Sequence, residues 1–239
     1  MKLLVISDTH ITPDYDSVVD WQRLGEYVVR TKPDYIIHLG DVADMNSLAW
    51  LKAERGHHTT EEECEQVSQH LFAFEEVIRA EQAKNRRDHK TIYSPTKLLC
   101  LGNHDVRQNS THIQDIFEDC NWHVADYTQP VVIDGITFCH CMYKGLSSTP
   151  CTTAVELLQN WHGDVVVGHS HCQEYAESYS MATQSRIRAI KCPMFNSNDT
   201  SWNLQAFNKY ARGFTEIKTN PFQFIWRDMS CLLGNSSKD

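Results

Sequence analysis

Apolar and polar positions alternate along this chain in two distinct rhythms. Short continuous apolar runs ending in Gly or Ser mark buried strands: "KLLVIS" (2–7), "DYIIHLG" (34–40) and "TKLLCLG" (96–102). Between them, apolar residues recur at steps of three and four. Val18, Trp21, Leu24 and Val28 predict a helix over 17–30. Cys64, Val67, Leu71, Phe74 and Ile78 predict another over 60–85, opened by Thr60 and Glu63 as a capping box. A short helix is expected from Ile113 to Asp119. The second half is richer in strands. "QPVVIDGITFCHC" reads as two strands turning at Asp134-Gly135, a strong hairpin pair. "TTAVELLQNW" reads as a helix, and "DVVVG", "SRIRAIKCPMF" and "FTEIKTNPFQFIWRDM" as further strands. Strand–helix alternation followed by strands predicts an α/β fold: a two-sheet sandwich with helices on its outer faces.

Composition narrows this picture. A chain of 239 residues, 41% hydrophobic, suits one domain with a sizeable core. That domain is expected over 1–233, with a helical insertion at about 56–90 and a disordered tail at 234–239. The net charge of -9 argues against a protein that relies on general attraction to duplex DNA. No apolar run is long enough to span a membrane, and "MKLLVISDTH" reads as a first strand rather than a signal peptide. The cysteine count is nine, odd, with no C-x-x-C pair. A reduced, cytoplasmic setting is the expectation.

The chemistry gathers where strands end. Asp8 and His10 follow the first strand, Asp41 and Asp44 the second, and Asn103, His104 and Asp105 the third. His140 lies in "ITFCHC", and His169 and His171 follow "DVVVG". The carboxyl ends of strands in an open α/β sheet form a crevice, so residues far apart in sequence can meet there. In extended backbone, residues two apart share a face, which would aim both members of Asp8/His10 and of His169/His171 at one cavity. Carboxylate, imidazole and amide oxygens suit borderline divalent ions such as Mn, Fe, Zn, Co or Ni. The ligands are too many for one open catalytic ion and fit two sharing a bridging carboxylate.

With its blocks D-x-H, G-D, G-N-H-D, a lone His and G-H-x-H in that order, the sequence resembles the calcineurin-like metallophosphoesterases over residues 1–175. The resemblance implies Asp8, His10 and His171 as ligands of one metal, Asn103, His140 and His169 of a second, and Asp41 as the bridge. It implies two divalent ions, manganese first, and a hydroxide between them that attacks phosphorus. His104 would face the leaving group, with Asp44 orienting it. One departure is "CHCM": His140 is flanked by Cys139 and Cys141. On a strand these point away from it; a strand ending earlier would let a thiol approach.

The expected substrate is a phosphate ester, a nucleotide or small diester. The large phosphoprotein phosphatases carry Arg-Gly after their second Asp; here Met45 and Asn46 follow Asp44. Two alternatives stand: a nuclease like the core of repair exonucleases, not favoured by the acidic charge, and a non-catalytic scaffold. Neither membrane contact nor an oligomeric state is indicated. His38 is expected in the core or behind the site. His57, His58, His70, His89, His112, His123 and His162 are expected on the surface or in loops, a substrate-facing loop being the alternative for His57-His58. The 60–85 helix should pack on the sheet, a dimer or cap role being the alternative. "KNRRDHK" reads as a solvated helix end or a phosphate-binding edge. Asn196, Asn198, Trp202, Phe207 and Tyr210 read as packing and loop structure, or as a flank of the site mouth.

Overall fold

A computed structural model describes residues 1–15, 17–50, 57–181, 184–196 and 210–233. Along the chain run β1 (Lys2–Ile6), α1 (Val18–Thr31), β2 (Tyr35–His38), α2 (Thr60–Arg87), β3 (Thr96–Cys100), α3 (His112–Asp119), β4 (His123–Ala125), β5 (Val131–Ile133), β6 (Ile136–Cys139), α4 (Ala154–Asn160), β7 (Asp164–Val167), β8 (Glu174–Ser180), β9 (Ser185–Lys191), β10 (Gly213–Thr219) and β11 (Phe222–Asp228). They build a six-stranded sheet, β11-β10-β1-β2-β3-β4, facing a five-stranded one, β5-β6-β7-β9-β8. The fold is the expected α/β sandwich.

Strict alternation along the buried strands makes the layers. Leu3 and Val5 of β1, Leu98 and Cys100 of β3, Phe138 of β6 and Val166 of β7 fill the space between the sheets. Leu4, Ile6 and Leu99 turn the other way, onto Trp21, Leu24 and Val28 of α1 and Val67, Leu71 and Phe74 of α2. Cys139, Val165 and Val167 face Leu157 of α4 on the far side. Each such side chain contributes about 1.5–3 kcal/mol on full burial. The interior therefore holds the sheets at a set separation, and the loops ride on it.

Register places the site. β1, β2 and β3 run parallel with Ile6 beside His38 and His38 beside Leu99, so their loops leave one edge at one level. In the second sheet Cys139 lies beside Val167, which levels the exits to His140 and to Gly168.

Several expectations need correction. The capping box of α2 is Thr59 with Glu62, one residue earlier than expected. Glu63 instead turns inward and accepts from the backbone N–H groups of Asn46 (2.7 Å) and Ser47 (3.2 Å). Strands β4 and β8 were not anticipated: β4 spans three residues, and β8, "EYAESYS", is a largely exposed edge strand without an apolar face. His70 is buried, not superficial. Its Nδ1–H donates to the Gln66 carbonyl (2.6 Å) and its Nε2 accepts from Ser17 Oγ (2.8 Å). The 60–85 stripe packs chiefly against α1. Asn198, Trp202, Phe207 and the 234–239 tail lie outside the described residues. All nine cysteines are free thiols, and no helix among the described residues is long and apolar enough to cross a membrane.

Candidate metal centre

The polar strand-end residues converge at the shared edge of the two sheets. Three groups of potential ligand atoms form there: Asp8, His10 and His171; Asp41, His140 and His169; and His10 again with Asp44 and His104, each set lying within 4.8 Å. In the first, His10 Nε2 and His171 Nε2 are 3.0 Å apart, and His171 Nε2 is 3.5 Å from Asp8 Oδ1. In the second, His140 Nε2 lies 3.1 Å from Asn103 Oδ1, 3.1 Å from His169 Nδ1 and 3.2 Å from Asp41 Oδ2.

Hydrogen bonds fix which ring atoms face the centre. His140 donates Nδ1–H to the carbonyl of Leu39 (2.7 Å). A neutral ring then turns a bare lone pair toward two oxygen acceptors, Asp41 Oδ2 and Asn103 Oδ1. His10 gives Nδ1–H to Asp44 Oδ1 (2.8 Å) and likewise presents Nε2. Acceptors packed around acceptors need a shared cation or an added proton. Imidazole, carboxylate and amide donors fit a divalent ion of the Mn, Fe, Zn, Co or Ni kind.

The local backbone is unusual. Asp8, His10, Asp41, His169 and His171 all have positive φ, between 45° and 68°. Both D-x-H and H-x-H therefore converge through left-handed turns and not through the pleat of a strand. Such conformations cost of order 1–3 kcal/mol each unless their surroundings impose them. The surroundings do. The Asp8 carboxylate accepts the backbone N–H of His169 at 3.0 and 3.1 Å, tying the two sheets together. A Cβ at Gly168 would run into Ser7 Oγ, and one at Gly102 into the Asp41 backbone, so side chains at either place would push the ligand loops apart.

The family model for calcineurin-like phosphoesterases matches residues 1–196. The chain belongs to the calcineurin-like phosphoesterase family. Metal-dependent hydrolysis of a phosphate ester is therefore its class of reaction. Among solved structures, the nuclease MPE of Pseudomonas putida is 13% identical, with 93% of this chain and 87% of that one covered and a TM-score of 0.40. A second is 9% identical, covering 95% of this chain and 98% of the other, with a TM-score of 0.36. No curated protein matches the sequence.

In this phosphoesterase burial and charge pull the titrating groups in different directions. Burial disfavours charge on His10, but its bond to Asp44 and the nearby Asp41 and Asp8 prevail and raise it to about 9. His140 is raised to about 10, burial again being outweighed by Asp41. Burial works against the Asp8 carboxylate, yet His171 and His140 hold it at about 2. Asp41 is also lowered, its burial overcome chiefly by His140. His169 and His104 are pushed down, mainly by burial. His38 falls to about 3 through burial. It is neutral, accepting the Gly40 N–H (3.0 Å) and donating to Thr9 Oγ1 (3.1 Å).

His104 and Asp44 make the third group, with His10. His104 Nδ1–H donates to the backbone carbonyl of Asp44 (2.9 Å), while the Asp44 carboxylate serves His10 and lies 4.0 Å from His104 Nδ1. The contact expected between the Asp44 side chain and His104 thus runs through the main chain. Asn103, His104 and His169 are partly exposed, whereas Asp8, His10, Asp41 and His140 are buried. The open side of the centre is the side of the first three.

Strand β6 stops at Cys139, before His140. Cys139 nevertheless packs away from the centre with Cys151 and Leu157. Cys141 Sγ meets Tyr127 Oη at 3.3 Å, and no cysteine joins the ligand groups among the described residues. Two residues not singled out as positioning groups now stand out. Asp105 accepts the backbone N–H groups of Gly102 (2.7 Å), Asp41 (2.9 Å) and Val42 (2.9 Å). Asn196 donates to the carbonyl of Thr9 (2.9 Å), in the middle of D-x-H. The last Asp of "GNHD" was a visible signal, and Asn196 lay in the polar-aromatic segment whose second reading was a flank of the site mouth. Tyr210 stacks edge-on against His171, ring centres 4.8 Å apart. His58 pairs with Asp14 (2.7 Å), away from the ligand groups. His57, His89, His112, His123 and His162 are exposed, as is Lys90 at the end of "KNRRDHK".

Proposed function

We propose that this phosphoesterase hydrolyses a phosphodiester, a nucleotide or small diester, with two divalent ions. Asp8, His10 and His171 would hold one, Asn103, His140 and His169 the other, and Asp41 both. Bound there, the ions supply Lewis acidity and charge neutralisation at the phosphoryl group and make hydroxide available near neutral pH. The protein's own part is orientation. Asp44 and the Leu39 carbonyl fix the tautomers of His10 and His140. His104, with Nδ1–H occupied, offers only Nε2 to the leaving oxygen, where it would deliver a proton in its imidazolium form.

The observation that carries the diester preference is Arg107. It lies near His104, yet its Nη1 is spent on the Asp44 carbonyl (2.9 Å), the Met45 carbonyl (3.3 Å) and Asn46 Oδ1 (3.2 Å). A dianionic monoester gains most from an additional arginine; a monoanionic diester needs it less.

Bis-p-nitrophenyl phosphate and p-nitrophenyl phosphate, compared with manganese and then with Fe, Zn, Ni and Co, test this reading; faster turnover of the monoester defeats it. His104→Ala should retain both ions and lose about 100- to 10,000-fold in rate, and Asp41→Asn should lose metal. Elemental analysis showing metal loss in His104→Ala would move that residue among the ligands. Steep salt inhibition on single-stranded DNA would favour the nuclease alternative. Full metal loading with no turnover of any ester would favour the scaffold.

A further inference from the structure

A second charged site lies at the opposite end of β1. A cavity of about 330 Å³ opens between the last turn of α1, the start of β1 and the end of β10, lined by Lys2, Arg30, Pro33, Glu216 and Lys218. The ligand groups follow the far end of the same strand, so the two places are about 20 Å apart along it.

Three cations converge here from three elements. Lys2 and Lys218 face each other directly across the antiparallel β1–β10 ladder. They share the parity of Leu4, which packs toward α1, so both side chains leave the sheet on the side of that helix. Like charges directly opposed on neighbouring strands are destabilising. Arg30 approaches from α1, its guanidinium over the ring of Tyr27 at 4.9 Å.

No carboxylate of the cavity wall offsets them. Glu216 is already bound by Tyr27 Oη (2.7 Å) and by Arg227 Nε (2.9 Å). Asp34, just outside, accepts the backbone N–H of Lys2 (2.7 Å). The carbonyl end of α1 brings a partial negative charge of about half a unit, but Lys32 is its C-cap. Among the described residues the three cationic side chains make no hydrogen bond or ion pair with an acid. In a chain of net charge -9 this is a concentrated positive site.

We infer that this cavity binds an anion, a small phosphorylated molecule, independently of the metal centre. Three separate cations around one space match the several oxygens and multiple charge of a phosphate group better than a single carboxylate. The volume is within the range of small-ligand pockets.

Inorganic phosphate, titrated into the zinc-loaded protein, is the probe, followed by amide NMR shifts and thermal melting. Saturable shifts are expected at Lys2, Thr31 and Lys218, separate from any at Asp8, Asp41 and His169. Lys218→Gln should raise the melting temperature without phosphate, because the repulsion is gone. It should also abolish most of the phosphate-induced rise and weaken binding at the Lys2 and Thr31 signals about tenfold or more. Arg30→Gln should weaken binding similarly, with turnover of bis-p-nitrophenyl phosphate unchanged in both variants. Shifts confined to the metal centre, shifts that never saturate, or unchanged affinity in both variants would overturn the inference. Should Lys218→Gln fail to fold, Lys2→Gln removes the same repulsion and gives the same comparison.

Discussion

Asp105 shows how much of the centre is made by a side chain directed at no ligand. Its two oxygens take three backbone N–H groups from the β2 and β3 exits, and so hold Asp41 in a left-handed turn that an aspartate does not prefer. Burial is the main reason its carboxyl is raised to about 6, the Asp41 charge adding to it. Asp105→Asn places an amide N–H₂ against those backbone donors. Metal affinity should fall about 10- to 100-fold, as for other groups that orient ligands, while the circular dichroism stays that of the wild type. Unchanged affinity in a metal titration would show that the loops hold themselves. Gly168 is the steric counterpart: with no side chain there, Ser7 and Asp8 can approach the β7 exit.

At the scale of elements, α2 both packs and positions. Its apolar stripe meets α1. Glu75, further along, accepts from Lys97 Nζ (2.7 Å) and Trp122 Nε1 (2.9 Å), fastening the helix to β3. Its first turn grips the loop that carries Asp44, through Glu63. Arg107 grips the same loop from the other side. Glu63→Ala removes the acceptor of the partly buried Asn46 and Ser47 N–H groups, at a cost of about 1 kcal/mol; the melting temperature should drop about 2–4 °C for each kcal/mol. Turnover should fall with metal content unaltered, since no ligand group is lost. Glu62→Ala, which removes the exposed half of the capping box, should cost less stability and leave turnover alone. Equal effects from the two would mean that Glu63 does no more than cap.

For the whole molecule, the converging charges make stability depend on pH and on metal. His10 and His140 titrate at about 9 and about 10 when folded, above the ordinary 6.5. Their contribution is full below pH 6.5 and disappears as pH rises through 9 to 10. Asp8 has the opposite sign: its pKa falls from 3.8 to about 2, so its contribution is present above pH 3.8 and vanishes as pH drops toward 2. Through His10 and His140, chelator-treated protein should therefore melt progressively lower as pH rises from about 6.5 toward 10. Divalent ions take the place of the imidazole protons, so added manganese or zinc should flatten the alkaline side. Melting curves that fall equally with and without metal would place the alkaline loss elsewhere in the protein.

The sequence by itself determined the strands with continuous apolar runs, the helices with a 3.6-residue stripe, and the family, through polar blocks in fixed order at strand ends. These are local signals, because a buried strand and an amphipathic helix each write their period into neighbouring positions. Tertiary structure alone decided the rest. β8 is an exposed edge strand whose pairing with β9, not its own pattern, makes it a strand. The inward turn of Glu63, the burial of His70 beside Ser17, and the hold of Asn196 on Thr9 depend on partners 16, 53 and 187 positions away. The left-handed turns at Asp8, His10, His169 and His171 are imposed by contacts between the two sheets, and no local propensity predicts them.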